Sequence, residues 1–149
     1  MGTTVVVALW HAAGVSVGNV GDSRCYRLRG GRLEQLTEDH SLAAEQAARG
    51  GGLFGRARAS AARHILTRAV GTMPDVQADI RTHDAAPGDL YLLCSDGLTD
   101  MLPDPRIREA LSAPGAALDD IAAELVRQAN DRGGVDNISV LVARAGAAS

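Results

Sequence analysis

The sequence contains no lysine; all 15 of its basic residues are arginine. Against 18 acidic residues this leaves a formal net charge of −3, which argues against a general nucleic-acid binder. Aromatic side chains are scarce, with one Trp, two Tyr and one Phe. Alanine, valine and leucine must therefore fill a core, and 149 residues suffice for one domain that has one. No apolar run reaches the ~18 residues of a membrane span, and no basic-then-apolar leader opens the chain. The two cysteines, Cys25 and Cys94, form no C-x-x-C pair. Each falls in an expected strand and reads as a small buried hydrophobe in a reducing, cytoplasmic setting. The four histidines (His11, His40, His64, His83) show no zinc spacing. No Walker loop, C-x5-R loop or G-x-S-x-G elbow is present, so the usual phosphate cradle and protein nucleophiles are missing.

What is present reads as strands first. Thr3–Trp10 is a nearly continuous β-branched and apolar run, expected to be a strand covered on both faces. Val15–Val20 follows closely enough to make a hairpin. Arg24–Arg29 and Arg32–Leu36 flank Gly30-Gly31, a second hairpin signal. A short helix is expected over Leu42–Ala48. The segment 49–63 carries four glycines and several arginines without a period and reads as a mobile surface flap. Strands are expected at Val76–Arg81, Leu90–Cys94 and Ile138–Ala143. Asp104-Pro105 reads as the N-cap and first position of a helix running to Leu111. Leu118, Ile121, Ala122, Leu125 and Ala129 recur at helical spacing, which predicts an amphipathic helix over Asp119–Asn130. Residues 1–144 then make one α+β unit, with helices on mostly antiparallel sheet, and 145–149 a frayed tail.

Three aspartates stand at strand ends. Asp96 in Ser95-Asp96-Gly97-Leu98-Thr99-Asp100 follows the apolar strand Leu90–Cys94, with a glycine expected to let the backbone turn sharply. Asp136-Asn137 precedes the last strand, and Asp22 in Gly21-Asp22-Ser23-Arg24 follows the second. A carboxylate at the end of a core strand is costly without a partner. Mg²⁺ and Mn²⁺ prefer such oxygen ligands, and a pair of ions can activate a water and clamp a phosphoryl group. Each aspartate alone also fits a turn or a cap. Asp100 and Asp104 read as caps, Glu38-Asp39 as a loop acid pair, and Asp119, Asp120 and Asp131 as solvated.

Six pieces in order decide between these readings. They are Met1-Gly2-Thr3-Thr4, Gly18-Asn19-Val20-Gly21-Asp22-Ser23-Arg24, Leu36-Thr37-Glu38-Asp39-His40-Ser41, Leu66-Thr67-Arg68-Ala69-Val70-Gly71, Leu93–Asp100 and Gly133-Gly134-Val135-Asp136-Asn137-Ile138-Ser139. Together they resemble the PPM (PP2C-like) metal-dependent serine/threonine protein phosphatases, in the bacterial branch that opposes serine/threonine kinases. The resemblance implies an α-β-β-α sandwich of two sheets, with Mn²⁺ or Mg²⁺ held between them at one edge. By family position Asp96 and Asp136 are implied ligands of a binuclear pair, and Asp22, with Asp96, of a third, looser metal. Ser95, Gly97, Asn137 and Arg24 are implied supports, and Arg56 and Arg58 in the flap are implied contacts to phosphoprotein.

The same resemblance marks a departure. The family's early acidic motif and its Asp-Gly-x-Gly-Gly motif, whose aspartate bridges both metals, have no counterpart here. The chain thus reads as the C-terminal portion of a catalytic domain, and Thr3–Trp10 is expected to expose apolar surface and a sheet edge where inner strands and two helices are missing. The implied function is hydrolysis of phosphoserine and phosphothreonine in proteins, with kinases or their substrates as partners and weak or no activity in this chain alone. The alternatives are an inactive regulatory or binding module and a phosphatase of an anti-sigma-factor antagonist.

Overall fold

The computed structural model describes residues 2–49, 62, 64–72 and 74–146. Two antiparallel sheets face each other. Strands β1 (Val5–His11), β2 (Gly14–Val20) and β5 (Asp79–His83) form one sheet in the order β1-β2-β5. Strands β3 (Arg24–Arg29), β4 (Arg32–Gln35), β6 (Leu90–Cys94) and β7 (Val140–Arg144) form the other in the order β4-β3-β6-β7. The first hairpin pairs Val5 with Val20 through to His11 with Gly14. Pairing continues across β2 to β5, Gly18 lying opposite Ile80. β6 crosses to the centre of the second sheet, with Arg24 opposite Cys94 on one side and Cys94 opposite Val140 on the other.

The period of two sorts these strands into layers. Val15, Val17, Cys25, Leu36 and Tyr91 point between the sheets and make the inner core. Tyr26, Leu28, Leu90, Leu92 and Cys94 point the other way, beneath the helices. That side is closed by four-residue α2 (Asp96–Thr99), α3 (Asp104–Leu111) and α4 (Leu118–Asp131). Leu98, Ile107, Leu111, Ile121 and Leu125 are the helical face of this second core. Both cysteine thiols are buried as expected, and burial pushes each up to about 12, so neither is a reactive thiolate.

Among the described residues the outer face of the first sheet has no such cover. Val5, Val7, Leu9 and Ile80 are 41%, 53%, 62% and 71% exposed. Val7, Gly18 and Ile80 lie in one register row, so this is a single apolar face. The expectation of a strand covered on both sides fails, and the expectation of exposed apolar surface at a sheet edge holds: among the described residues β1 pairs as a strand with β2 alone.

Other boundaries moved for local reasons. The fifth strand sits at Asp79–His83 and not Val76–Arg81, because its partners on β2 are Val15–Asn19. The last strand begins at Val140, since Ser139 is still engaged with Ser95. Pro103, not Asp104, is the N-cap of α3; Asp104 lies in its first turn and accepts from the Tyr26 hydroxyl at 3.1 Å. Helix α1 (Leu42–Ala48) begins as expected, with Ser41 Oγ accepting from Ala44 N–H. The flap and its Arg56 and Arg58 lie outside the described residues.

Candidate active site

Asp22 is carried by the three-residue turn from β2 to β3, and Asp96 opens α2 at the end of β6. The hydrogen-bonded sheets bring both to one cavity of about 700 Å³, together with Arg24, Asp39, His64 and Asp100. The crowding shows in the acidities. The Asp22 carboxyl is pushed up to about 6, first by burial and next by Asp96, with Asp39 and Asp100 adding. Asp96 is also raised, by burial and then by the Asp100 and Asp136 carboxylates. Asp136 does not line this cavity; it is exposed in the loop before β7, within electrostatic reach of Asp96.

The support residues have definite jobs. Ser95 Oγ donates to the Asn137 carbonyl at 3.1 Å and accepts from Ser139 N–H at 3.0 Å, while Ser95 N–H donates to the Ser139 carbonyl at 3.0 Å. The Asp136–Asn137 loop is thus tied to the residue preceding Asp96. Gly97 was expected to permit a sharp turn, but it sits inside α2 and is not among the glycines with positive φ. Its requirement is space: a Cβ there would overlap the Asn137 carbonyl oxygen and lie 3.0 Å from that carbonyl carbon. Asn137 takes part through its backbone, its N–H donating to Asp136 Oδ1 at 2.6 Å.

Arg24 turns out to be committed to a neighbour. Its Nε and Nη2 donate to the two oxygens of Asp39 at 2.8 and 2.6 Å, and its Nη1 donates to the Tyr26 hydroxyl at 2.9 Å. Asp39, read from sequence as a loop acid, is therefore a cavity-lining carboxylate that is already neutralised. Glu38 beside it pairs with Arg81 on the surface. Asp100, read as a cap, lines the cavity four residues after Asp96, with its N–H on the Asp96 carbonyl and its carboxylate 3.6 Å from His64. The i, i+4 spacing of Asp96 and Asp100 was the available signal. His64 carried none, since its partner is distant in sequence.

Whether these groups suit a divalent ion can be judged from their chemistry. Arginine satisfies Asp39, Asp79, Asp84 and Asp89. Among the described residues Asp22, Asp96 and Asp136 have no such ion pair; the exposed Asp119 and Asp120 also lack one, but Asp22 and Asp96 are set apart by burial and neighbouring carboxylates. All-oxygen donors fit a hard cation such as Mg²⁺ or Mn²⁺, which keeps several waters. They fit in kind but not in number: among the described residues no three His, Cys, Asp or Glu gather as a complete ligand set.

Residues 1–49 match the family model for Protein phosphatase 2C. Serine/threonine phosphatase stp of Listeria welshimeri is 40% identical over 142 residues, 95% of this chain and 56% of that protein. The structure of the Mycobacterium tuberculosis serine/threonine phosphatase PstP/Ppp superposes with a TM-score of 0.86 at 35% identity, over 98% of this chain and 61% of that one. Over residues 1–49 the chain matches the protein phosphatase 2C family, and over nearly all of its length it is similar to these serine/threonine phosphatases. Its two sheets and flanking helices are the fold shared with those phosphatases. A structure of the PstP catalytic domain in complex with two manganese ions is likewise similar, at TM-score 0.82 and 37% identity, over 97% of this chain and 59% of that one. The chain spans about half the length of the Listeria relative. No helix among the described residues is long and apolar enough to cross a membrane.

Proposed function

We propose that this chain carries one wall of a metal-dependent site that hydrolyses phosphoserine and phosphothreonine in proteins. The observation behind the reading is crowding: the Asp22 and Asp96 carboxyls are pushed up in pKa by burial and by neighbouring carboxylates, Asp136 adds to the charge on Asp96, and among the described residues none of the three has an arginine ion pair. In this proposal Asp96 and Asp136 hold the two principal Mn²⁺ or Mg²⁺ ions and Asp22, with Asp96, a third. When bound, such ions lower the pKa of a water and stabilise charge on the phosphoryl oxygens. The chain's own contribution is rigidity. Ser95 fixes the Asp136 loop against Asp96, Gly97 lets the two approach, and the Arg24–Asp39 pair closes the cavity wall without adding net charge. Arg56 and Arg58 are proposed phosphoprotein contacts, with kinases or their substrates as partners and the cytoplasm as compartment.

The incomplete ligand set favours a second statement: alone, the chain binds Mn²⁺ weakly and turns over negligibly. The test joins the chain to the segment of the Listeria relative that it does not span. Mn²⁺-dependent release of phosphate from a phosphothreonine peptide should appear in the fusion and vanish with Asp96→Asn. Undiminished turnover in that variant would falsify the assignment. A fusion that folds and binds Mn²⁺ without turnover would favour an inactive binding module.

A further inference from the structure

Two of the ordered motifs, Leu36–Ser41 and Leu66–Gly71, supply none of the metal-facing carboxylates. They meet at His40, which is 4% exposed. The Gly21 N–H donates to His40 Nδ1 at 3.1 Å, and the His40 N–H donates to the Gly21 carbonyl at 2.9 Å. Both sides of the residue preceding Asp22 are therefore held by one histidine. Because a backbone N–H can only donate, Nδ1 must be the acceptor, and the neutral ring carries its proton on Nε2. That N–H donates to Asp79 Oδ2 at 3.0 Å. Asp79 is in turn fixed through Oδ1 by Arg68 Nη1 at 2.9 Å. Arg68 Nη1 also comes within 3.4 Å of Nε2, but these are two donors sharing one carboxylate. The Thr67 N–H donates to the His40 carbonyl at 2.9 Å, so the second motif grips the first along its backbone as well.

Gly21 needs such a hold. Its φ of +105° is a conformation that most residues avoid, and a Cβ there would overlap the Thr4 side chain. On the far side of Asp22, Ser23 Oγ is hydrogen-bonded to Thr4 Oγ1 at 2.9 Å. Asp22 thus stands on a three-residue turn anchored at both ends, by Thr4 just before β1 and by the His40–Asp79–Arg68 relay.

We propose that His40 is a positioning residue for Asp22, fixing the turn that presents this carboxylate to a divalent cation. The inference rests on the metal-site reading for its purpose, but its geometry is testable apart from that reading. Three variants of this chain separate the contacts. His40→Asn keeps an acceptor near the Nδ1 position, His40→Gln keeps a donor toward Asp79 only, and His40→Ala keeps neither. Hydrogen exchange at Gly21 is the first readout. It should accelerate at least about tenfold in His40→Ala and His40→Gln and be largely restored in His40→Asn, while Val17 and Ser16 in the β2 ladder stay protected. Mn²⁺ affinity is the second. It should fall by about 10-fold or more in His40→Ala, the scale seen for partners that orient metal ligands, and the loss should disappear in an Asp22→Asn background. Unchanged Gly21 exchange in His40→Ala would overturn the proposal, as would an equal Mn²⁺ loss with and without Asp22. Absence of even weak Mn²⁺ binding by the wild-type chain would count against the metal-site reading alone, and the Gly21 exchange series would still decide the role of His40.

Discussion

Gly97 and Asn137 lie so close that a single methyl group on Gly97 would collide with the Asn137 carbonyl. The approach is held from the other side by Ser95, whose hydroxyl donates to that same carbonyl. A backbone carbonyl cannot swing away as a side-chain tip can. Gly97→Ala should therefore destabilise the chain by about 2 kcal/mol or more, within the range of overpacked sites. Urea denaturation checks the loss, and amide shifts at Asp136 and Asn137 should move more than those in β1. A neutral Gly97→Ala would mean that the loop can retreat.

Burial and like charge set the response of Asp22 to pH. Its folded pKa of about 6 lies above the ordinary aspartate value of 3.8. The unfolded chain therefore releases this proton first, and the folded state loses stability as pH rises through 4 to 6. At pH 7 Asp22→Asn should melt higher than wild type in metal-free buffer, and the difference should close as the pH approaches that ordinary value. Mn²⁺ should reverse the order at pH 7 by favouring the ionised wild type. Thermal melts of both proteins across pH 4–7, with and without Mn²⁺, test this. A difference independent of pH would show that the gain comes from something other than the charge.

Much of this was legible in local pattern. The Gly30-Gly31 turn and the stripe from Leu118 to Ala129 each encode local structure that tertiary contacts did not override, whereas Arg24–Arg29 is buried on both faces, Arg27 included. Asp22 and Asp96 could be singled out because a carboxylate at the end of an apolar strand is conspicuous. What could not be read was whatever depends on a partner far along the chain. Asp39 looked idle until Arg24 was seen across 15 positions. Gly97 looked like a turn glycine because Asn137, which makes it necessary, is 40 positions later by number. By hydropathy alone the β1 run looked doubly covered, because hydropathy reports the tendency of a face to be buried; its exposure was legible only from the family motifs that have no counterpart here.

That uncovered face has its own consequence. Val5, Val7, Leu9 and Ile80 present one apolar surface next to the free edge of β1. Such surfaces associate in water. Replacing Val7 and Leu9 together by threonine keeps β-branched residues in the strand and removes much of the apolar contact area. The double variant should sediment at a lower average mass than wild type at the same concentration, with stability changed by less than about 1 kcal/mol because both positions are exposed. Equal sedimentation would show that this face does not drive association.

The Arg24–Asp39 and Arg127–Glu124 pairs share a forked geometry but differ in burial. The first has contacts of 2.8 and 2.6 Å with side chains 25% and 17% exposed. The second has contacts of 2.9 and 2.6 Å with side chains 60% and 41% exposed. Partial exclusion of water strengthens the first pair and leaves a stranded charge if either member is removed, whereas water and salt screen the second. A double-mutant cycle on Arg24 and Asp39 should give a coupling of about 1–3 kcal/mol that persists in about 0.5 M salt, a concentration at which the Debye length is only a few ångströms. The Arg127–Glu124 cycle should give a smaller coupling that shrinks with salt. Arg24→Lys should recover only part of the Arg24→Ala loss, because an ammonium cannot contact both Asp39 oxygens and the Tyr26 hydroxyl in one plane. If the two cycles gave equal couplings, burial at the cavity wall would not be what distinguishes them, and Arg24 would be as free as a surface arginine to turn toward an arriving phosphate.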